Sequence, residues 1–562
     1  MKRKKHIILC MIPAFLVVAL GAALSAAVPG GDKKLFAEID MVMNDAYKPL
    51  EPGAALIVRR NGKTLFRKGY GMANLELGVK VEPDMAFRLG SITKQFTAVA
   101  VLMLAEQGKL SLQDEIGKYI SDFPTGDKRV TIAHLLAHTS GIKSYTNMEE
   151  WLPLWRKDMT PAEIIAMSKD KPFEFSPGER WNYNNSGYVM LGAIIEKATG
   201  KTYEGFLREA IFTPLGMKNS GYDRTERVIP RRVPGYHKDN DGFVNAPYLS
   251  MTQPYAAGSL YSSVDDLAVW NDAVFSGKLL KKEWLEKAFT PFTLASGEST
   301  GYGCGWFVSE LRGHRCIEHG GGINGFTSYA LSLPDDGIYV AVLTNSAIAG
   351  RDPETRAVRI AELVMGLKPE ERTPIPLTAG ELDALVGVYV NQAEEERFIT
   401  REGEKLLSQR AGGARHPIQA ASADEFFFTD APTIIRFTRD GQGKVSGLRV
   451  QARYGPAEIY RRTAKPLPAE KKEIALDSRL LDRLAGEYEL QPGFLIVITN
   501  EAGRLMGQAT GQEKVELFAE SETEFFLKVV DARIVFDVDA AGGVIGLTLF
   551  QGGQKLPAKK IK

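Results

Sequence analysis

A chain of 562 residues is too long for one ordinary hydrophobic core, and its length suggests three or four folded units. Its composition, 44% apolar and 25% charged, is that of a globular protein and excludes extended disorder. The formal charge is +1, and residues 1–27 hold four basic side chains and no acid, so the remainder carries −3. That balance gives no basis for nucleic acid or an acidic surface as partner.

Residues 1–27 read as an export signal: Lys2-Arg3-Lys4-Lys5, an apolar stretch from Ile7 to about Leu24, then Ser25-Ala26-Ala27. Cleavage after Ala26 or Ala27 is expected, and the alternative is an uncleaved membrane anchor. Either way the rest of the chain lies outside the cytoplasm, periplasmic or secreted. Cys10 lacks the small residues that precede a lipoprotein acceptor. Residues 32–47 follow with Leu35, Ile39, Val42, Met43 and Ala46 at helical spacing. The period then changes to two strands, 54–60 and 63–66, joined at Asn61-Gly62, the strongest short hairpin signal.

Arg88-Leu89-Gly90-Ser91-Ile92-Thr93-Lys94 opens an apolar helical run containing Phe96, Val99, Leu102, Met103 and Leu104. Ser91 is expected on the first turn, with Lys94 one turn on and on the same face. A serine needs an adjacent base and a favourable field to act as a nucleophile, and a lysine at that spacing on a helix start supplies both. The bland alternative is an N-cap serine. Residues 131–141 predict a short helix stopped by Gly141. Its His134 and His138 stand at i, i+4 but lack the glutamate of a zinc-protease motif, so they are read as structural and no metal or cofactor is expected. Tyr183-Asn184-Asn185 lies in a polar, aromatic loop before an apolar helix, 189–198, a placement that suits site residues. Ser263 to Asp266 predicts a capping box.

Strands are expected to return at 302–308, 316–322, 327–333 and 338–344, with His319 beside Gly320, Gly321 and Gly322. Cys304 and Cys316 flank a predicted turn at Arg312-Gly313, which leaves open both a cross-strand disulfide and two buried thiols. A Pro-rich joint from Lys368 to Pro376 ends this unit. Beyond it is an internal repeat with an offset of about 99 residues. Leu382, Leu385, Gly387 and Tyr389 recur as Leu481, Leu484, Gly486 and Tyr488, and Glu425-Phe426-Phe427 recurs as Glu524-Phe525-Phe526. Each copy alternates apolar and polar residues between short turns, so each predicts a small antiparallel barrel.

Taken together, Ser91-x-x-Lys94, Tyr183-x-Asn185 and His319-x-Gly321 resemble, in type and chain order, the three motifs of the class C β-lactamase and penicillin-recognising serine hydrolase family. The resemblance covers about residues 32–365. It implies an α+β fold in which an antiparallel sheet is flanked by helices with a helical subdomain. The expected units are the signal (1–27), the hydrolase domain (30–368) and barrels at 379–464 and 478–562. It also implies Ser91 as nucleophile, Lys94 as proton acceptor or activator, and Tyr183 as proton shuttle. Asn185, His319 and Gly321 would bind substrate, and the backbone N–H groups of Ser91 and Gly322 would form the oxyanion hole.

β-Lactamases of this family carry Lys-Thr-Gly at the third motif, where the charge and hydroxyl meet the drug's carboxylate. Here His319 and Gly320 stand in their place, which should weaken carboxylate recognition. The His-x-Gly motif looks like that of serine D-aminopeptidases and related esterases, and D-aminopeptidase also carries two β-barrels after its catalytic domain. The barrels are similar to lipocalin-like domains. The expected substrates are small molecules or short peptides: D-amino-acid peptides, amides or simple esters. The alternatives are a true β-lactamase or DD-carboxypeptidase, and a penicillin-type sensor that acylates once.

Overall fold

The computed structural model describes residues 30–562 apart from 240–241, 349–350, 369–371, 393, 412, 414, 429–432, 469–472, 492–493, 511, 513, 529, 531, 540 and 552–553. The expected export signal and part of the Pro-rich joint lie outside the described residues. Among the described residues no helix is long and apolar enough to cross a membrane.

The first unit is α+β. In chain order its sheet and main helices are α1 (Gly30–Ala46), β1 (Ala54–Arg60), β2 (Lys63–Tyr70), α2 (Thr93–Glu106), α3 (Ile132–Leu136), α4 (Asn185–Thr199), α5 (Val264–Phe275), β3 (Phe307–Leu311), β4 (His314–Ile323), β5 (Phe326–Leu333), β6 (Ile338–Thr344) and α6 (Pro353–Met365). The six strands form one antiparallel sheet ordered β3-β4-β5-β6-β1-β2. Side chains alternate across it. Ala54, Leu56 and Val58 of β1 join Val340 and Val342 of β6 under α1 and α6, while Ala55, Ile57, Ala341 and Leu343 face α2 and the helical layer. Both faces are covered, so β1 and β6 read as nearly continuous apolar runs. Asn61 and Gly62 both take left-handed φ, +50° and +72°, as a two-residue hairpin turn requires.

Three local expectations are corrected. The helix at 131 ends at Leu136, because His138 takes φ +61° and turns the chain before Gly141 is reached. The strand expected at 302–308 is displaced to 307–311, and Tyr302 makes only an isolated bridge to Phe307. Ser263 does cap α5 by accepting from Asp266 N, but the Asp266 carboxylate accepts from Asn219 N and Ser220 instead of returning to the cap. Cys304 and Cys316 are both free thiols: Cys316 faces Ser309 across the ladder, while Cys304 lies before the strand begins.

Each repeat copy closes into an eight-stranded antiparallel barrel, over Gly387–Arg462 and over Gly486–Lys560. The copies share their internal contacts. Tyr389 donates to Leu385 O at 2.6 Å, and Tyr488 to Leu484 O at the same distance. Phe426 meets Phe437 edge-on at 5.5 Å, as Phe525 meets Phe536.

Candidate active site

A tight turn places the serine. Gly90 adopts φ +55°, cheap only for glycine, and residues 90–92 form one 3-10 turn that runs into α2 without a side-chain cap. Ser91 thus sits at the positive end of the α2 dipole without capping it. Twelve of the fourteen residues of α2 are buried, Lys94 among them, so the helix is enclosed on nearly every side.

Lys94 Nζ lies 3.0 Å from Ser91 Oγ, 2.8 Å from Asn185 Oδ1 and 2.9 Å from the Ala257 carbonyl oxygen. Burial holds its pKa well below that of a free lysine. A neutral amine has two N–H groups and one lone pair; Asn185 and Ala257 match the first two, which leaves the lone pair for the Ser91 hydroxyl. Asn185 is fixed in turn at the start of α4: its Nδ2 donates to Thr146 Oγ1 at 3.1 Å, and Asn184 caps the helix by accepting from Gly187 N at 2.8 Å. The ring of Tyr183 lies with its centroid 4.7 Å from Lys94 Nζ. Its buried hydroxyl makes no hydrogen bond of ordinary geometry to any described residue. Burial pushes that hydroxyl well above the usual phenol range, with Ser91 pulling it partly back.

His138 organises this loop from beneath. It is buried, its Nδ1 accepts from Asn184 N at 3.0 Å, and its ring packs 4.4 Å from that of Tyr183. Burial, and then the nearby Lys94, hold it neutral. The other half of the i, i+4 pair, His134, belongs to the capping box of α3. Among the described residues no group of three His, Cys, Asp or Glu could hold a metal.

Strand β4 crosses the Ser91 turn in direct contact, and its glycines permit this. A Cβ on Gly321 would stand 2.0 Å from Leu89 O and 3.0 Å from Ser91 N, and one on Gly90 would stand 2.9 Å from Gly322 N. The backbones of Ser91 and Gly322 therefore share one wall of the site. His319 is 2% exposed; its Nε2 lies 3.0 Å from Tyr302 OH and its Nδ1 2.6 Å from Gly320 O. Burial, reinforced by Lys94, lowers its pKa to about 3, so the third motif carries no charge at neutral pH.

These groups line a cleft of about 310 Å³ whose outer wall comes from α6 and, across the chain, from the first barrel. Tyr454 reaches in from the barrel loop at 452–457, with its ring 4.2 Å from Phe307, and donates to Glu354 at 3.1 Å. Beside it Arg453 pairs with Glu318, the fully buried neighbour of His319, and with Glu354 at 3.1 Å. Glu318 also accepts from Ser309 at 2.5 Å and Tyr329 at 2.6 Å.

All the residues singled out in the sequence, Ser91, Lys94, Tyr183, Asn185, His319, Gly321 and Gly322, thus meet in one place. Sequence reasoning missed Ala257, Tyr302, Glu318, Arg453 and Tyr454. No local signal in the sequence marked them: Glu318 shares its strand with His314 and Arg315 and reads as one more surface charge.

Known proteins resemble this chain in sequence and in fold. A family model described as Beta-lactamase matches residues 47–365, and a domain of unknown function (DUF3471) matches residues 470–560. The chain is similar to penicillin-binding protein 4* of Bacillus subtilis (strain 168), at 27% identity over 90% of this chain and 94% of that protein. Among solved structures it resembles the octameric penicillin-binding protein homologue from Pyrococcus abyssi, at 28% identity and TM-score 0.54, covering 76% of this chain and 99% of that one. It also resembles a D-stereospecific amidohydrolase from Streptomyces sp., at 27% identity and TM-score 0.50, covering 59% and 99%. With more than half its length matched and its three motifs assembled around Ser91, the chain belongs to the Beta-lactamase family.

Proposed function

We propose that this protein is an exported serine acyl hydrolase that works through an acyl-enzyme on Ser91, with small D-amino-acid peptides or amides and simple esters as substrates. The observation that carries the reading is the buried Lys94 amine, 3.0 Å from Ser91 Oγ with its pKa lowered by burial. In the proposed sequence Lys94 Nζ takes the Ser91 proton as Oγ bonds to the substrate carbonyl carbon. The N–H groups of Ser91 and Gly322 hold the oxyanion. Tyr183, kept protonated by burial, gives its proton to the leaving nitrogen or oxygen as that bond breaks, and is reprotonated from Lys94. Water then attacks the ester and Ser91 regains its proton. Asn185 orients the acyl amide.

The substrate class is supported by His319, which is enclosed and neutral where the family's β-lactamases carry a lysine to meet the drug's carboxylate. The likeness to a D-stereospecific amidohydrolase points the same way. Turnover of a panel tests the proposal: D-aminoacyl amides, D-Ala-D-Ala peptides, p-nitrophenyl esters and a cephalosporin. Steady-state hydrolysis of amides and esters is expected, with the cephalosporin poor. Efficient cephalosporin turnover would make the protein a β-lactamase. One equivalent of product with no steady state would make it a sensor.

A further inference from the structure

The first barrel holds a second cavity, of about 300 Å³, lined by Arg397, Arg410, His416, Phe428, Val450 and Glu458 among others. That volume is at the small end of small-molecule sites. Arg397 stands at its floor, with its side chain 6% exposed, on the interior face of its strand beside Ile399. Its guanidinium is only partly satisfied. Nη1 donates to Ser408 Oγ at 3.0 Å, Nη2 lies 3.6 Å from Glu458 Oε2, and Nε has no hydrogen-bond partner among the described residues. Arg410 pairs with the same Glu458 at the rim, with its side chain 60% exposed, and Tyr460 OH donates to that carboxylate at 2.6 Å. Two guanidinium groups thus share one carboxylate, and the described lining residues carry a net positive charge.

The second barrel shows that the fold does not need this arrangement. The ladder that pairs Arg397 with Arg410 in the first copy pairs Ile496 with Ala509 in the second. Where Glu458 and Tyr460 stand opposite Val450 and Leu448, the second copy has Leu556 and Ala558 opposite Leu549 and Leu547. Ser408 is matched by Gly507. The whole polar network is replaced by apolar or small residues on the same backbone. A buried cation with an idle donor costs stability that an isoleucine would not, and a guanidinium with open donors above an apolar wall suits a carboxylate.

We propose that the first barrel binds a small organic carboxylate with an apolar body, its carboxylate seated on Arg397 between Arg410 and Glu458 and its body against Phe428 and Val450. The cavity is separate from the Ser91 cleft, though Ala452 and Pro456 line it while Tyr454, between them in sequence, lines the cleft.

Calorimetric titration of the full chain with 4-phenylbutyrate and with its neutral amide tests this. The acid should bind one to one, and the amide at least tenfold more weakly. Arg397→Gln should weaken the acid at least tenfold. Glu458→Gln, which removes the competing carboxylate, should tighten it severalfold, a gain that misfolding cannot imitate. Should Arg397→Gln fail to fold, Arg410→Gln at the exposed rim replaces it, with weaker binding expected. Equal affinity for acid and amide, no binding at millimolar concentration, or no tightening in Glu458→Gln would overturn the proposal.

Discussion

Among the described residues Lys94 has no acidic partner, and burial depresses its pKa. Within the proposed mechanism this makes Lys94 and Tyr183 one proton-carrying unit. Lys94→Ala and Tyr183→Phe should each lower kcat by about 10²–10⁴-fold, and the double variant should be little worse than the worse single one. Costs that multiply would remove one of the two from the proton path. His319 yields a pH prediction. Its folded pKa is about 3, against about 6.5 in an unfolded chain. Between those values only the unfolded state takes up the proton, so stability is full above pH 6.5 and falls as pH drops toward 3. The slope approaches about 1.4 kcal/mol per pH unit for such a group. Urea unfolding at pH 7.5, 5.5 and 4.5 should show a shallower loss in His319→Gln than in wild type. Parallel losses would mean that His319 is not held neutral.

At the scale of elements, β4 against the Ser91 turn is the closest fit in the site. Gly321→Ala sets a Cβ 2.0 Å from Leu89 O, against rigid backbone. The strand must move away, separating the Ser91 and Gly322 amides, and kcat should fall by about 100-fold or more with a smaller effect on KM. Unchanged kcat would show that these amides do not act together. This is also where sequence legibility divides. Ser91 and Lys94 are one helical turn apart, and Tyr183 and Asn185 are two residues apart across the start of α4, so local spacing revealed both pairs. The sheet strands were legible because both faces are buried and β1 and β6 are nearly continuous apolar runs. Tyr302 was expected to begin a strand, yet its hydroxyl lies 3.0 Å from His319 Nε2 and the strand starts five residues later.

At the scale of the molecule, the catalytic unit and first barrel are joined by a buried charge cluster. Nothing local marks it, because Glu318 and Arg453 are 135 positions apart and each looks like an ordinary surface charge until the fold encloses both. The internal repeat, by contrast, was legible because one offset persists through many positions. Arg453→Ala leaves Glu318 buried without its cation, and a loss of about 3–5 kcal/mol is expected in urea unfolding. Tyr454→Ala removes part of the cleft wall and should raise KM for bulky acyl groups more than for small ones, which a series of esters would read. An equal effect on all would deny it a place against substrate.

The most direct test of the central claim is peptide mass spectrometry of the chain quenched during turnover of a D-aminoacyl p-nitrophenyl ester. One acyl adduct is expected, on the peptide containing Ser91, present during steady-state turnover and absent in Ser91→Ala. An adduct on another residue, or turnover that persists in Ser91→Ala, would contradict it.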